Sequence, residues 1–223
     1  FKDISIVITA GPTIEEIDPI RFVSNKSSGK QGFEIASELT KRGAKVTLVT
    51  GPVNIPFPNC ENVIQVTTAE EMLDNVTQQL PADILICSAA VADWKLIPKT
   101  SSNKVIDINN KIKKTNDNLS FETLKNPDIL ATIAKSNLRP KIVIGFSAET
   151  CNLKQNAYSK LISKNVDLII ANDVSNNKVF GEDFNRVCLV DKKNCEEWKK
   201  QSKKSVAFHL ANKINDLLTN YDQ

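Results

Sequence analysis

Histidine is almost missing from this 223-residue chain, His209 being the only one. With no second histidine, and no Ser-His or Cys-His pairing near it, a nucleophilic triad or a histidine-ligated metal is not expected, and His209 reads as structural. Glycine is also scarce, at 7 residues, and only Gly11 closely follows the first apolar run. The three-glycine dinucleotide fingerprint is therefore absent, and a nicotinamide-type turn loses its main support. The five cysteines, Cys60, Cys87, Cys151, Cys188 and Cys195, are odd in number, widely spaced and without a C-x-x-C pair. That pattern argues against a disulfide framework or a zinc site and fits a reducing cytoplasm. There is no signal peptide and no apolar run of transmembrane length. A net charge of only +3 demands neither a nucleic acid nor a membrane as partner. Internal repeats are lacking, and a start at Phe1 in place of methionine is expected of a domain cut from a longer protein.

What is present is ordinary globular composition, 41% hydrophobic and 25% charged, with enough length for one sizeable core. β-Branched apolar runs recur at 4–9, 45–50, 63–66, 84–87, 141–146 and 168–171 and read as central strands of a mostly parallel sheet. Helical patterns lie between several of them. Gly32, Ile35, Ala36 and Leu39 share a face before a stop at Gly43, and Thr68 caps a helix over 69–79 with Glu71 in capping-box position. The pattern predicts a single α/β domain over 1–223, a Rossmann-like three-layer fold with a small antiparallel extension at about 176–200. A final amphipathic helix is predicted over 205–218. The polar stretch 97–110 reads as a flexible loop, either lid-like or simply tolerated disorder.

The opening strand runs through Gly11 into a long loop and a helix start, the place where α/β proteins receive anions. Ser27, Ser28 and Gly29 precede that helix and can offer hydroxyls and amides to a phosphate, though a plain helix cap accounts for them as well. Asn25, taken alone, is a turn residue. A second cluster, Ser88, Ala89, Ala90, Val91, Ala92 and Asp93, follows the strand 84–87; its small side chains allow close approach, and Asp93 could accept hydrogen bonds. Alternation would put Lys111 and Lys113 on one side of a strand, as a solvated edge or as charge for a phosphoryl transition state. Lys160 and Lys164, four apart on a predicted helix, share a face, which serves solubility or grips a polyphosphate.

The ordered series Gly11-Pro12-Thr13, Asp18-Pro19, Arg21 with Ser24-Asn25, Ser27-Ser28-Gly29-Lys30, Ala89 through Asp93, Lys111-Ile112-Lys113-Lys114, Lys125 through Ile129, Gly145-Phe146, Ala148-Glu149-Thr150, Ala171 through Val174, and Phe180-Gly181 with Asp183 and Asn185 resembles bacterial phosphopantothenate–cysteine ligase (phosphopantothenoylcysteine synthetase). The resemblance covers nearly the whole chain. It implies CTP-dependent activation of 4'-phosphopantothenate to an acyl-cytidylate, then amide formation with L-cysteine, with Mg2+, in coenzyme A synthesis. By the same resemblance Asn25 and Lys111 are the catalytic residues. Ser88, Ala89, Ala90, Asp93, Lys111, Pro127, Asp128, Ile129, Leu130, Phe146, Lys160 and Lys164 form the nucleotide site. Arg21, Asn25 and Ala90 hold the phosphopantothenate, Arg21 across a homodimer interface. Trp94 and Ser147 depart mildly from the family pattern. Nothing resembles the flavin-dependent decarboxylase that many members carry ahead of this domain, so no flavin is expected on this chain, with the partner domain fused or separate. The metal ligands are not assigned. A nicotinamide-dependent oxidoreductase and a non-catalytic nucleotide-binding or dimerisation module are the other classes weighed; tight NAD(H) binding, or nucleotide binding without turnover, would mark them.

Overall fold

A computed structural model describes residues 1–100, 102, 104–114, 118–175 and 182–221. The chain begins with β1 (Ser5–Ala10), β2 (Ile14–Glu16), β3 (Phe22–Ser24), α1 (Lys30–Lys41), β4 (Lys45–Thr50), β5 (Asn62–Gln65), α2 (Ala69–Gln78) and β6 (Ile84–Cys87). It continues through β7 (Trp94–Lys99), β8 (Ser120–Lys125), α3 (Ile129–Ala134), β9 (Ile142–Glu149) and α4 (Leu153–Lys164). β10 (Leu168–Asp173), β11 (Phe184–Val190), β12 (Cys195–Ser202) and α5 (Lys203–Tyr221) follow.

Eight strands form one sheet in the order β12-β11-β10-β9-β6-β1-β4-β5. It is parallel from β10 to β5, and β11 and β12 add antiparallel. Side chains alternate across it. Ile6, Ile8 and Ala10 of β1 face Phe33, Ile35 and Leu39 of α1 and Val206 and Leu210 of α5, whereas Val7 faces the opposite layer with Met72, Ile133 and Leu161. Each large aliphatic side chain so buried contributes about 1.5–3 kcal/mol, so two apolar cores hold helices on both faces. The three-layer α/β expectation holds. α2 starts at Thr68 with both halves of the capping box formed, and past the end of α1 Gly43 turns the chain at φ 93°.

Four strands lie where the sequence analysis marked none. β2 and β3 pair antiparallel inside the segment between Gly11 and Gly29, and β7 and β8 pair antiparallel in the middle of the chain. Three residues of the flexible loop expected over 97–110 are instead strand: Ile97, Pro98 and Lys99 belong to β7, and Lys99 also bridges to Val105. Lys111 through Lys114 lie in no strand, so the alternation argument for Lys111 and Lys113 fails. Of the C-terminal extension, β11 and β12 are antiparallel, and residues 176–181, including Val179, Phe180 and Gly181, lie outside the described residues. Wide sequence spacing also hid one cysteine pair. Cys188 and Cys195, on β11 and β12, bring their Sγ atoms to 2.6 Å, and burial, then Cys195, pushes the Cys188 thiol up to about 12.

Candidate functional site

β1 lies between β4 and β6, and the chain leaves it for β4 on one side while β6 arrives on the other. The carboxyl ends of such neighbouring strands open a crevice in α/β sheets. Here the crevice is stitched by backbone. Ala90 N donates to the Gly11 carbonyl at 2.9 Å and Thr13 N to the Ala90 carbonyl at 3.2 Å, while Ala92 N donates to Thr13 Oγ1 at 2.8 Å. Asn25 Nδ2 also donates to the Ala90 carbonyl, at 3.0 Å, which orients the amide and leaves it a second N–H. Asn126 secures the far side, its Nδ2 on the Ala92 carbonyl at 2.9 Å.

A cavity of about 340 Å3 results, lined by Asn25, Ala89, Ala90, Asp93, Pro127, Asp128, Ile129, Leu130, Phe146, Lys160 and Lys164. Lys160 and Lys164 both reach it, each held by a carboxylate: Lys160 Nζ lies 2.7 Å from Glu149 Oε1 and Lys164 Nζ 2.7 Å from Asp128 Oδ2. Asp128 also caps α3 by accepting from Ala131 N at 3.0 Å. Burial opposes its ionisation, but Lys164 and the Ala131 N–H prevail and hold its carboxyl below the ordinary range. Cys87, on the same wall, is pushed up to about 12 by burial; it is a thiol at neutral pH and no nucleophile.

Ser27, Ser28, Gly29 and Ser88 line a narrower cavity of about 160 Å3 that shares Ala89, Ala90 and Phe146 with the first. The simple helix-cap account of Ser27-Ser28-Gly29 fails. α1 starts from Gly29 at φ 75° with no side-chain cap, and Ser27 Oγ instead accepts from Gly29 N at 3.3 Å. A helix entered this way presents its first turn to an anion. Gly11 lines neither cavity; its left-handed φ of 71° and its close approach to Gly51 and Val53 make it a packing residue.

Arg21 and Lys111 lie elsewhere, on a cavity of about 740 Å3 beside the β2–β3 hairpin. Asp18 organises that side. Its carboxylate accepts from the backbone N of Ile20, Arg21 and Ile112 at 2.9, 2.8 and 3.1 Å and pairs with Arg21 Nη2 at 3.2 Å. Arg21 Nη2 in turn donates to the Ile112 carbonyl at 2.8 Å. Burial works against the Asp18 anion, yet these N–H groups and the guanidinium together hold its pKa below 3.8. Sequence reasoning quoted Asp18 and Glu149 within motifs but gave them no task. The Asp18-Pro19 turn was the one local signal for the first. Among the described residues no three His, Cys, Asp or Glu side chains group as a metal site, and no helix is long and apolar enough to cross a membrane.

Residues 1–218 match the family model described as the DNA/pantothenate metabolism flavoprotein C-terminal domain. The chain is 41% identical over 215 residues to the coenzyme A biosynthesis bifunctional protein CoaBC of Haemophilus influenzae, covering 96% of this chain and 52% of that protein. It is 44% identical over 213 residues to the CoaBC of Borreliella burgdorferi, covering 94% and 52%. The chain thus spans about half the length of these relatives. Among solved structures, the C-terminal domain of CoaBC superposes with a TM-score of 0.80 at 34% identity, over 99% of this chain and 98% of that one. A Cab2 mutant in complex with phosphopantothenate-cysteine shares the fold, with a TM-score of 0.71 at 14% identity over 100% and 90%.

Proposed function

This chain belongs to the DNA/pantothenate metabolism flavoprotein C-terminal domain family, and from that membership we propose that it is a phosphopantothenate–cysteine ligase of coenzyme A biosynthesis. The observation that carries the reading is a pair of adjoining cavities with a shared wall, one lined by the oriented Asn25 amide and by Lys160 and Lys164, the other by the uncapped start of α1. A carboxylate is a poor acyl donor because its oxygen leaves badly, so coupling to nucleotide cleavage supplies both drive and leaving group. A carboxylate oxygen of 4'-phosphopantothenate attacks the α-phosphorus of CTP and pyrophosphate leaves. The L-cysteine amine then attacks the acyl carbon and CMP leaves, closing the amide.

Each residue has a task in this scheme. The remaining Asn25 N–H donates to the acyl oxygen as charge develops on it, without a fixed charge that would trap the intermediate. Ala89, Ala90, Asp93 and Pro127 through Leu130 seat the nucleoside, with Phe146 beneath and Lys160 and Lys164 toward the phosphates. Mg2+ would neutralise those phosphates. No acidic cluster stands among the described residues to cage it, and it would be held chiefly by phosphate and water oxygens, coordination Mg2+ favours. Arg21 and Lys111 line a separate cavity, which supports a homodimer in which they act on the partner's crevice. Ile20, Phe22, Trp94, Phe121 and Leu124, exposed on or beside the two hairpins, provide an apolar surface for it. The chain is placed in the cytoplasm, working with a flavin-dependent decarboxylase domain, fused or separate.

Pyrophosphate release tests this reading. It should require phosphopantothenate, Mg2+ and nucleotide together, faster with CTP than with ATP; no release with any nucleoside triphosphate refutes it.

A further inference from the structure

The antiparallel edge of the sheet holds a thiol pair that the reaction scheme above leaves unused. Cys188 and Val190 of β11 turn the same face into the core layer of α4, with Ala157 and Leu161. Across the ladder, Cys195 of β12 stands opposite Val190, and Glu197 stands opposite Cys188. Cys188 and Cys195 are therefore diagonal neighbours on one face, within side-chain reach, and their Sγ atoms lie 2.6 Å apart. A disulfide spans about 2.05 Å, so the two sulfurs need close only about half an ångström. Cys188 is buried and Cys195 exposed: one sulfur meets solvent and the other stands behind it. As hydrogen-bonding groups two thiols gain little from each other, S–H being a weak donor and S a weak acceptor. Oxidation gives their juxtaposition a use.

A cavity of about 440 Å3 opens on Cys188, walled by Lys154, Asp173, Arg186 and Glu197, within the range of about 300–1,000 Å3 that small molecules occupy. Its walls carry both signs of charge. Glu197 is shared between Lys154 Nζ at 2.8 Å and Arg186 Nη2 at 3.2 Å, which leaves the guanidinium further N–H donors for a carboxylate, while Asp173 can accept from an ammonium. The Lys154 charge also acts on both sulfurs.

We propose that Cys188 and Cys195 form a redox-active dithiol, and that this cavity seats its oxidant, a low-molecular-weight disulfide bearing amino and carboxylate groups, of the cystine class. The exposed Cys195, as thiolate, attacks one sulfur of the disulfide; the first small thiolate leaves and takes up the proton that Cys195 lost. Cys188 then attacks Cys195 Sγ, and the second small thiolate leaves with the Cys188 proton. The pair is oxidised by two electrons to a Cys188–Cys195 bridge, and the small disulfide is reduced to two thiols. In the reducing compartment proposed above such a bridge is transient, formed on oxidation and reversed by thiols. The inference does not depend on the ligase reading.

The test is peptide mass mapping, without reduction, of the pre-reduced full chain after timed exposure to L-cystine or to uncharged hydroxyethyl disulfide. The wild-type protein should yield a Cys188–Cys195 linked peptide that dithiothreitol reverses, and L-cystine should form it about tenfold faster than the uncharged probe. Arg186→Gln should remove most of that preference and leave the uncharged probe within about twofold. Cys188→Ala should stop at a mixed disulfide on Cys195, and Cys195→Ser should leave Cys188 unmodified. No Cys188–Cys195 peptide, a bridge to another cysteine in its place, or equal rates with the two disulfides overturns the proposal. If circular dichroism shows Cys188→Ala unfolded, Cys195→Ser decides the order of attack, since modification of Cys188 at the wild-type rate in that variant is equally fatal.

Discussion

At the scale of single residues, the site is built from groups whose charge or orientation is already committed. Asn25 spends one N–H on the Ala90 carbonyl, so Asn25→Ala should slow amide formation and let acyl-nucleotide accumulate, detected by mass spectrometry of quenched reactions; a normal steady-state rate would refute its role. Lys111→Ala should cut pyrophosphate release by about 100-fold or more, read in a coupled phosphate assay. Asp18 gives a pH signature. Its folded pKa lies below 3.8, so its anion stabilises the Arg21 and Ile112 docking in full above that value, and the contribution is lost as pH falls through the lowered pKa. Wild-type melting temperature should therefore drop more steeply below pH 4 than that of Asp18→Asn, whose uncharged side chain has nothing to titrate. These residues were legible to different degrees. Asn25 and Lys111 carry no local pattern that separates a catalytic amide or ammonium from a turn or a solvated edge, so only the family resemblance singled them out. The partners of Lys160 and Lys164, Glu149 and Asp128, depend on tertiary contact and were invisible.

At the scale of elements, the α1 entry decides the shape of the crevice. A Cβ on Gly32 would lie 2.6 Å from Ala10 Cβ and 2.7 Å from Ser88 Oγ, so only glycine lets α1 approach β1 and the Ser88 loop. Gly32→Ala should destabilise by about 1–3 kcal/mol in urea titrations and weaken CTP binding by displacing the helix start. The central strands were readable because burial on both faces demands unbroken β-branched runs, as in Ile84–Cys87. The hairpins were not. β2 and β3 are 3 residues each, too short for a period to show, and every residue of β8 is exposed, so no apolar alternation marks it. α2 was readable to within a residue because Thr68 and Glu71 signal its start in sequence alone.

At the scale of the whole molecule, helices on both sheet faces fix the crevice between β1 and β6, and Arg21, hydrogen-bonded to the Lys111 segment at Ile112, lines a different cavity with it. The proposed homodimer would bring Arg21 and Lys111 to the crevice of the partner. Light scattering should report a dimer, and Phe22→Asp with Leu124→Asp should yield monomers with little turnover. The central claim is carboxylate activation by nucleotidyl transfer in this crevice, and isotope transfer tests it most directly. With phosphopantothenate labelled by 18O in its carboxylate, the account predicts one 18O in the phosphate of the released CMP. Label in pyrophosphate or inorganic phosphate, or unlabelled CMP beside the amide product, would contradict it.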